Sequence, residues 1–204
     1  MENKGKIWIT TDMHLGHAKM VEYCGRPENH SDITIENLRK TLSAGDTLID
    51  LGDICIGNDE YWHSLLKTII PVGVKRILLI GNHDKKSRDW YLSHGWDFVC
   101  ESFSGHYFGR YVTFSHEPIP NVQNLNIHGH LHTHLPRLLR KEFVVPDEEE
   151  RNKHFLESLN ENHLLLSTEH LKYKPVLLES LISNYDKNKQ NPVETNREIP
   201  IGIQ

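Results

Sequence analysis

The chain has 204 residues, 37% of them hydrophobic and 25% charged, with a formal net charge of −5. That length suits one domain with a sizeable core and would cramp two. No apolar run approaches the ~18 residues that span a bilayer, the acidic balance argues against a surface that tracks long duplex nucleic acid, and Cys24, Cys55 and Cys100 lack the C-x-x-C spacing of a zinc ribbon and the even count of a disulfide framework.

In chain order, Met1 to Lys6 lacks the apolar core of a signal peptide, so a cytoplasmic setting is expected. Three apolar, β-branched runs follow, each ending at a polar side chain: Ile7 to Thr11 before Asp12, Thr47 to Leu51 before Asp53, and Arg76 to Ile80 before Asn82. Between them, apolar residues recur at three and four over Ile33 to Leu42 and Glu60 to Ile70, the period of an amphipathic helix. This βαβα order predicts a parallel sheet with helices on its faces, with a site in the loops beyond the carboxyl ends of the strands. Asp97 to Cys100, Phe103 to Phe108, Tyr111 to Phe114 and Leu125 to Ile127 then read as short strands of a second sheet, punctuated by Gly105 and Gly109. The expected fold class is α/β (α+β by some schemes), a two-sheet β-sandwich flanked by helices. Residues 1–185 form the expected domain. Within it 136–162 reads as an insertion, open to three readings: a lid, a surface for self-association into an oligomer, or a solvated helix. Residues 186–204 read as a polar C-terminal tail.

The chemistry concentrates in five short runs: Asp12-Met13-His14, Gly52-Asp53, Gly81-Asn82-His83-Asp84, Ser115-His116-Glu117 and Gly129-His130-Leu131-His132. Two divalent ions about 3.5–4 Å apart each need several protein ligands plus open positions for water and substrate. A mixed imidazole, carboxylate and amide set suits Mn, Fe, Zn or Ni. Asp53 is the candidate bridge, since it sits where a buried strand stops and a loop begins. In extended D-x-H and H-x-H segments, alternate side chains point to one side.

These runs, in this order, resemble the signature D-x-H, G-D, G-N-H-[DE], H and G-H-x-H of the calcineurin-like metallophosphoesterase superfamily, over roughly Ile7 to Pro175. The opening Ile9 to His17, the Tyr-Cys-x-Arg-Pro of Tyr23 to Pro27 and the Glu-x-x-x-Tyr-x-Pro of Glu169 to Pro175 are similar to small single-domain members of bacteria and phages. The resemblance implies the same sandwich. It also implies one metal held by Asp12, His14, Asp53 and His132 and a second by Asp53, Asn82, His116 and His130, with Mn expected ahead of Fe, Zn or Ni. The expected activity is a phosphodiesterase acting on a nucleotide-like or cyclic nucleotide ester, by attack of a metal-bridging hydroxide. Phosphomonoesterase action is the runner-up, and a non-catalytic metal-binding scaffold for other proteins is the reading of a different class.

Outside the ligand set, His83 follows Asn82 and is expected to face the leaving-group oxygen, stabilising charge or delivering a proton. Asp84 is expected to accept its other imidazole N–H and favour the protonated ring. His17 and Arg26 are candidates for substrate binding. His128 reads as a hydrogen-bonded strand-end residue, and His63, His94, His106, His154, His163 and His170 as structural. No Walker loop, G-x-S-x-G elbow or basic-flanked cysteine offers a competing phosphate chemistry.

Overall fold

The computed structural model describes residues 5–132 and 159–190. Strands β1 (Ile7–Thr10), β2 (Thr47–Asp50) and β3 (Lys75–Leu79) pair in parallel, and β4 (Phe98–Cys100) adds a fourth parallel strand beside β3. The last strand, β9 (Val176–Leu177), runs antiparallel along β1 and completes a five-stranded sheet in the order β4-β3-β2-β1-β9. A second sheet holds β5 (Ser102–Tyr107), β6 (Arg110–Ser115), β7 (Leu125–His128) and β8 (His163–Leu165) in sequence order; β5–β6 is a hairpin and the other pairs are parallel. Both sheets are therefore mixed, and helices flank them as expected. The segment around Asp97 to Cys100, grouped with the second sheet by its sequence, belongs instead to the edge of the first.

Alternation along the strands explains the layers. In β1 to β3, Ile9, Ile49 and Leu79 face the second sheet's Val112, Phe114, Ile127 and Leu164, while Leu48, Leu78 and, from β4, Val99 face the helices. Strands buried on both faces read as nearly continuous apolar runs, as these do. Helix α1 (Met20–Cys24) is a single short turn beyond the first strand. Helices α2 (His30–Thr41) and α3 (Asp59–Ile69) bring Leu38 and Leu66 onto the outer face, with Tyr91 of α4 (Arg88–Ser93) and Trp96 just beyond it. Helix α5 (Leu178–Gln190) lays Leu178, Leu181, Ile182 and Tyr185 into the inter-sheet core. It runs past Asp186, where the polar stretch begins, and Asp186 pairs with Arg110. Most of the 136–162 insertion and the chain beyond Gln190 lie outside the described residues. Among the described residues, no helix is long and apolar enough to cross a membrane.

The helix starts carry local signals. Asn58 caps α3 by accepting the Tyr61 N–H, with Asp59 and Glu60 in the first turn, and Ser87 caps α4 by accepting the Trp90 N–H. Between these helices His63 is buried, its ring centroid 5.1 Å from that of Trp90, and its Nδ1 accepts the Trp96 indole N–H at 3.1 Å. Burial holds the His63 pKa down to about 4, against the pull of Asp59. Between pH 4 and the ordinary value of 6.5 the unfolded chain binds the extra proton, so this stabilising contribution is complete above 6.5 and is lost as pH falls. Chemical denaturation of the metal-free protein across that window should show His63→Phe losing about 3 kcal/mol less than the parent on acidification. Equal slopes would remove His63 as the source.

Candidate metal centre

The loops leaving β1, β2 and β3 are laced together by their backbones. The Asp12, His14 and Leu15 amides donate to Gly52, Asp53 and Ile54 carbonyls, each at 2.9 Å, so the first two loops run on side by side past their strands. Gly52 has φ +102°, and a Cβ there would lie 2.6 Å from the Gly81 nitrogen, so only glycine lets the second and third loops meet. Across the sandwich the His130 amide donates to the Asp12 carboxylate at 3.0 Å. A Cβ on Gly129 would sit 2.3 Å from Asp12 Oδ2, so this approach also demands glycine.

This lacing brings the seven expected ligands into two groups. In the first, His14 Nε2 lies 3.1 Å from His132 Nε2, and Asp12 Oδ1 lies 3.5 Å from the latter. In the second, Asn82 Oδ1 is 2.9 Å from His116 Nε2 and 3.0 Å from His130 Nδ1. Asp53 stands between them, its Oδ2 3.5 Å from both His14 Nε2 and His116 Nε2. His116 donates Nδ1–H to the Leu51 carbonyl at 2.8 Å, which leaves its Nε2 as the bare nitrogen facing the cluster.

The donor set fits divalent cations on three observations. Asp12, His14, Asp53, His130 and His132 all adopt positive φ, between +46° and +71°, a region costly for residues with a Cβ and found where a site dictates the backbone. Asp12 and Asp53 are buried, yet among the described residues neither pairs with a lysine or arginine. Burial pushes the Asp53 pKa up to about 7 despite the nearby His116, and the adjacent Asp12 adds to the rise. A cation between the two carboxylates would reverse that balance. Burial likewise holds His14 well below its ordinary value and His130 at about 4, so both rings are neutral near pH 7, the form that binds metal.

His83 reaches the same space. Its ring is 42% exposed, with Nε2 4.0 Å from Asp53 Oδ2, and its backbone N–H holds Asp53 Oδ1 at 2.8 Å. Asp84 departs from expectation. Its carboxylate accepts the amides of Asp53, Ile54 and Gly81 at 2.8, 3.2 and 2.9 Å, and among the described residues no hydrogen bond joins it to the His83 ring. Asp84 clamps the second loop to the third. The His83 pKa is correspondingly lowered, through burial first and then Lys85, with Asp84 opposing only in part.

His17 lies beside the first group, half-buried, its ring 5.6 Å from that of His14 and 6.2 Å from Tyr23. Arg26 departs from expectation: it is buried, and its guanidinium is spent on Glu169 and on the carbonyls of Asp12 and Met13 rather than on a surface open to substrate. Its partner Glu169 carried no assigned role in the sequence; the only signal was its place in the Glu-x-x-x-Tyr-x-Pro run. His128 is buried at the end of β7 with Nδ1 3.0 Å from the Gly129 carbonyl.

With this geometry in view, comparisons with known proteins give a consistent class. The family model for calcineurin-like phosphoesterases matches residues 5–191, and the chain belongs to that family, whose members are metal-dependent phosphoesterases. The uncharacterized protein MJ1445 of Methanocaldococcus jannaschii is 24% identical over 188 residues, covering 90% of this chain and 93% of that protein. The Gene 66 protein of Mycobacterium phage D29 is 29% identical over 80 residues, or 39% of this chain and 40% of that protein. Among solved structures, the protein of unknown function AQ665 from Aquifex aeolicus aligns with TM-score 0.60 over 90% of this chain and 98% of its own, at 18% identity, a likeness of fold.

Proposed function

We propose that the chain is a cytoplasmic phosphodiesterase that hydrolyses a small nucleotide-like or cyclic nucleotide phosphodiester, using two divalent cations with manganese preferred. The observation that carries this reading is the position of Asp53 Oδ2, equally distant at 3.5 Å from nitrogens of both donor groups, with His83 half-exposed beside it. Asp12, His14 and His132 would hold one ion and Asn82, His116 and His130 the other, with Asp53 shared. Bound divalent ions supply Lewis acidity, which makes hydroxide available near neutrality and offsets charge on the phosphoryl oxygens.

The chain's own part is to place these donors and to serve the leaving group. Asp84 and the Asp12–His130 contact fix the loops, so the donors are aligned before substrate arrives. The His83 ring, next to the shared carboxylate, is the group that can donate a proton to the departing oxygen, and a phosphodiester anion seated against it favours its charged form. A diester has one negative charge and a poor leaving group, so it gains most from this proton; a monoester dianion gains more from the cations alone. His17, beside His14, is the candidate contact for the rest of the substrate.

The reading is tested with metal-free protein reconstituted with Mn²⁺ and assayed on bis-aryl and mono-aryl phosphates. The expected result is faster diester turnover, abolished by a chelator and restored by Mn²⁺. A monoester preference above about tenfold, which corresponds to roughly 1.4 kcal/mol of transition-state stabilisation, would overturn the diesterase assignment.

A further inference from the structure

Two of the sequence runs, Tyr23 to Pro27 and Glu169 to Pro175, hold no ligand of the cluster, yet they meet behind it. The Arg26 guanidinium, fully buried, donates from Nε and Nη2 to Glu169 Oε1 at 2.7 and 2.6 Å. Its Nη1 donates to the Met13 carbonyl and Nη2 to the Asp12 carbonyl, each at 2.8 Å. Those carbonyls belong to the segment in which Asp12 and His14 are held at φ +46°. Glu169 Oε1 in turn lies 3.5 Å from His132 Nδ1. Arg26 Nη2 is also 3.5 Å from that nitrogen, but both of its hydrogens are already given to Asp12 and Glu169, so the carboxylate is the partner for His132.

We propose that Arg26 and Glu169 are positioning residues for one half of the metal centre: the buried pair keeps His132 protonated on Nδ1 and turned so that Nε2 faces the cation position. The proposal rests on the two-metal reading of the cluster. It is specific to the first donor group. Among the described residues, the side chains of the pair reach Asp12, Met13 and His132, with Cys24 close to Glu169 and His132, and none of these contacts is to Asn82, His116 or His130. A carboxylate that accepts the second N–H of a metal-binding imidazole fixes tautomer and ring orientation together, and losing such a partner weakens metal binding by about 10–100-fold. A pair that merely joined two loops would lower stability without distinguishing between the cations.

The test uses Glu169→Gln, which keeps the shape and removes the charge, and Arg26→Lys, which keeps the charge and removes the forked donor. Calorimetric titration of the full-length, metal-free proteins with Mn²⁺ should resolve two binding events in the parent. In each variant one event should weaken by about 10–100-fold while the other keeps its parental affinity, and excess Mn²⁺ should restore much of kcat. Imidazole ¹⁵N shifts read the tautomer without metal: His132 should be protonated on Nδ1 in the parent and shift toward Nε2 protonation in Glu169→Gln. Unchanged affinities, or an equal loss at both events, would overturn the proposal. A parent that binds fewer than two ions would overturn the two-metal reading, while an unchanged His132 tautomer in Glu169→Gln would overturn the positioning role independently of metal.

Discussion

Replacing Asp53 by asparagine is expected to lower Mn²⁺-dependent hydrolysis by more than about 100-fold, the upper loss seen when only an outer-shell partner is removed, and at the same time to stabilise the metal-free protein. Both effects come from one buried carboxylate. It is the oxygen shared by the two donor groups, so an amide there cannot serve both cations as an anionic bridge. Without cations, it is an ionisable group in a dry site beside Asp12, with its pKa raised through burial from 3.8 to about 7. The sign follows directly. From pH 3.8 to about 7 the folded chain holds a proton that the unfolded chain has released, so this group costs stability as pH rises, and the cost levels off above 7. Asparagine keeps an acceptor for the His83 amide and removes the charge. Thermal unfolding with a chelator, at steps from pH 5 to pH 8, should therefore show the variant gaining on the parent until neutrality. With Mn²⁺ present the order should reverse, because only the parent draws the full stabilisation of binding. A variant less stable than the parent at pH 8 without metal would contradict the picture of uncompensated carboxylates held ready for cations.

The second large effect is at His83. Truncation to alanine should reduce kcat on a diester by about 10²–10⁴-fold, the range for a positioned general acid, with both Mn²⁺ affinities unchanged. Metal binding should survive because Asp53 is held by the His83 backbone N–H rather than by its ring. The loss should depend on the leaving group. Esters of acidic phenols depart without help and should be least affected, whereas esters of simple alcohols should lose most. Steady-state rates across such a series, with titrations of Mn²⁺, separate this role from a ligand role. A flat response to leaving-group acidity would remove His83 as the acid, and a lost binding event would make it a ligand.

What the sequence discloses and what it hides divides by the range of the interaction. Strands β1 to β3 are short, nearly continuous apolar runs and helices α2 and α3 carry a period of about 3.6, signals held within a few residues, and all five lie within a few residues of the predicted spans. The cluster of candidate ligands is visible for a related reason: its members lie in the short segments just beyond strand ends, and Asp53, Asn82 and His130 each follow a glycine whose Cβ would collide with a neighbouring loop. β4 is different. Its three residues are as compatible with one sheet as with the other, and only the parallel register of Leu78 with Val99 decides the matter. Asp84 and Arg26 show the same limit at the level of single side chains. Asp84 sits next to His83 in sequence yet turns its oxygens to amides as many as 31 residues away, and Arg26 finds its carboxylate 143 residues downstream. Neighbours in the chain suggest a partner; burial and competing donors choose one.

The donor groups come from both layers of the sandwich. Asp12, His14, Asp53 and Asn82 follow strands of the five-stranded sheet, and His116, His130 and His132 follow strands of the other. Each proposed ion would then be coordinated from both sheets and act as a rivet between them. Sliding one layer against the other would then have to break coordination bonds as well as shear the greasy seam beneath, so in that reading cation occupancy would govern the mechanical cohesion of the molecule as well as its chemistry.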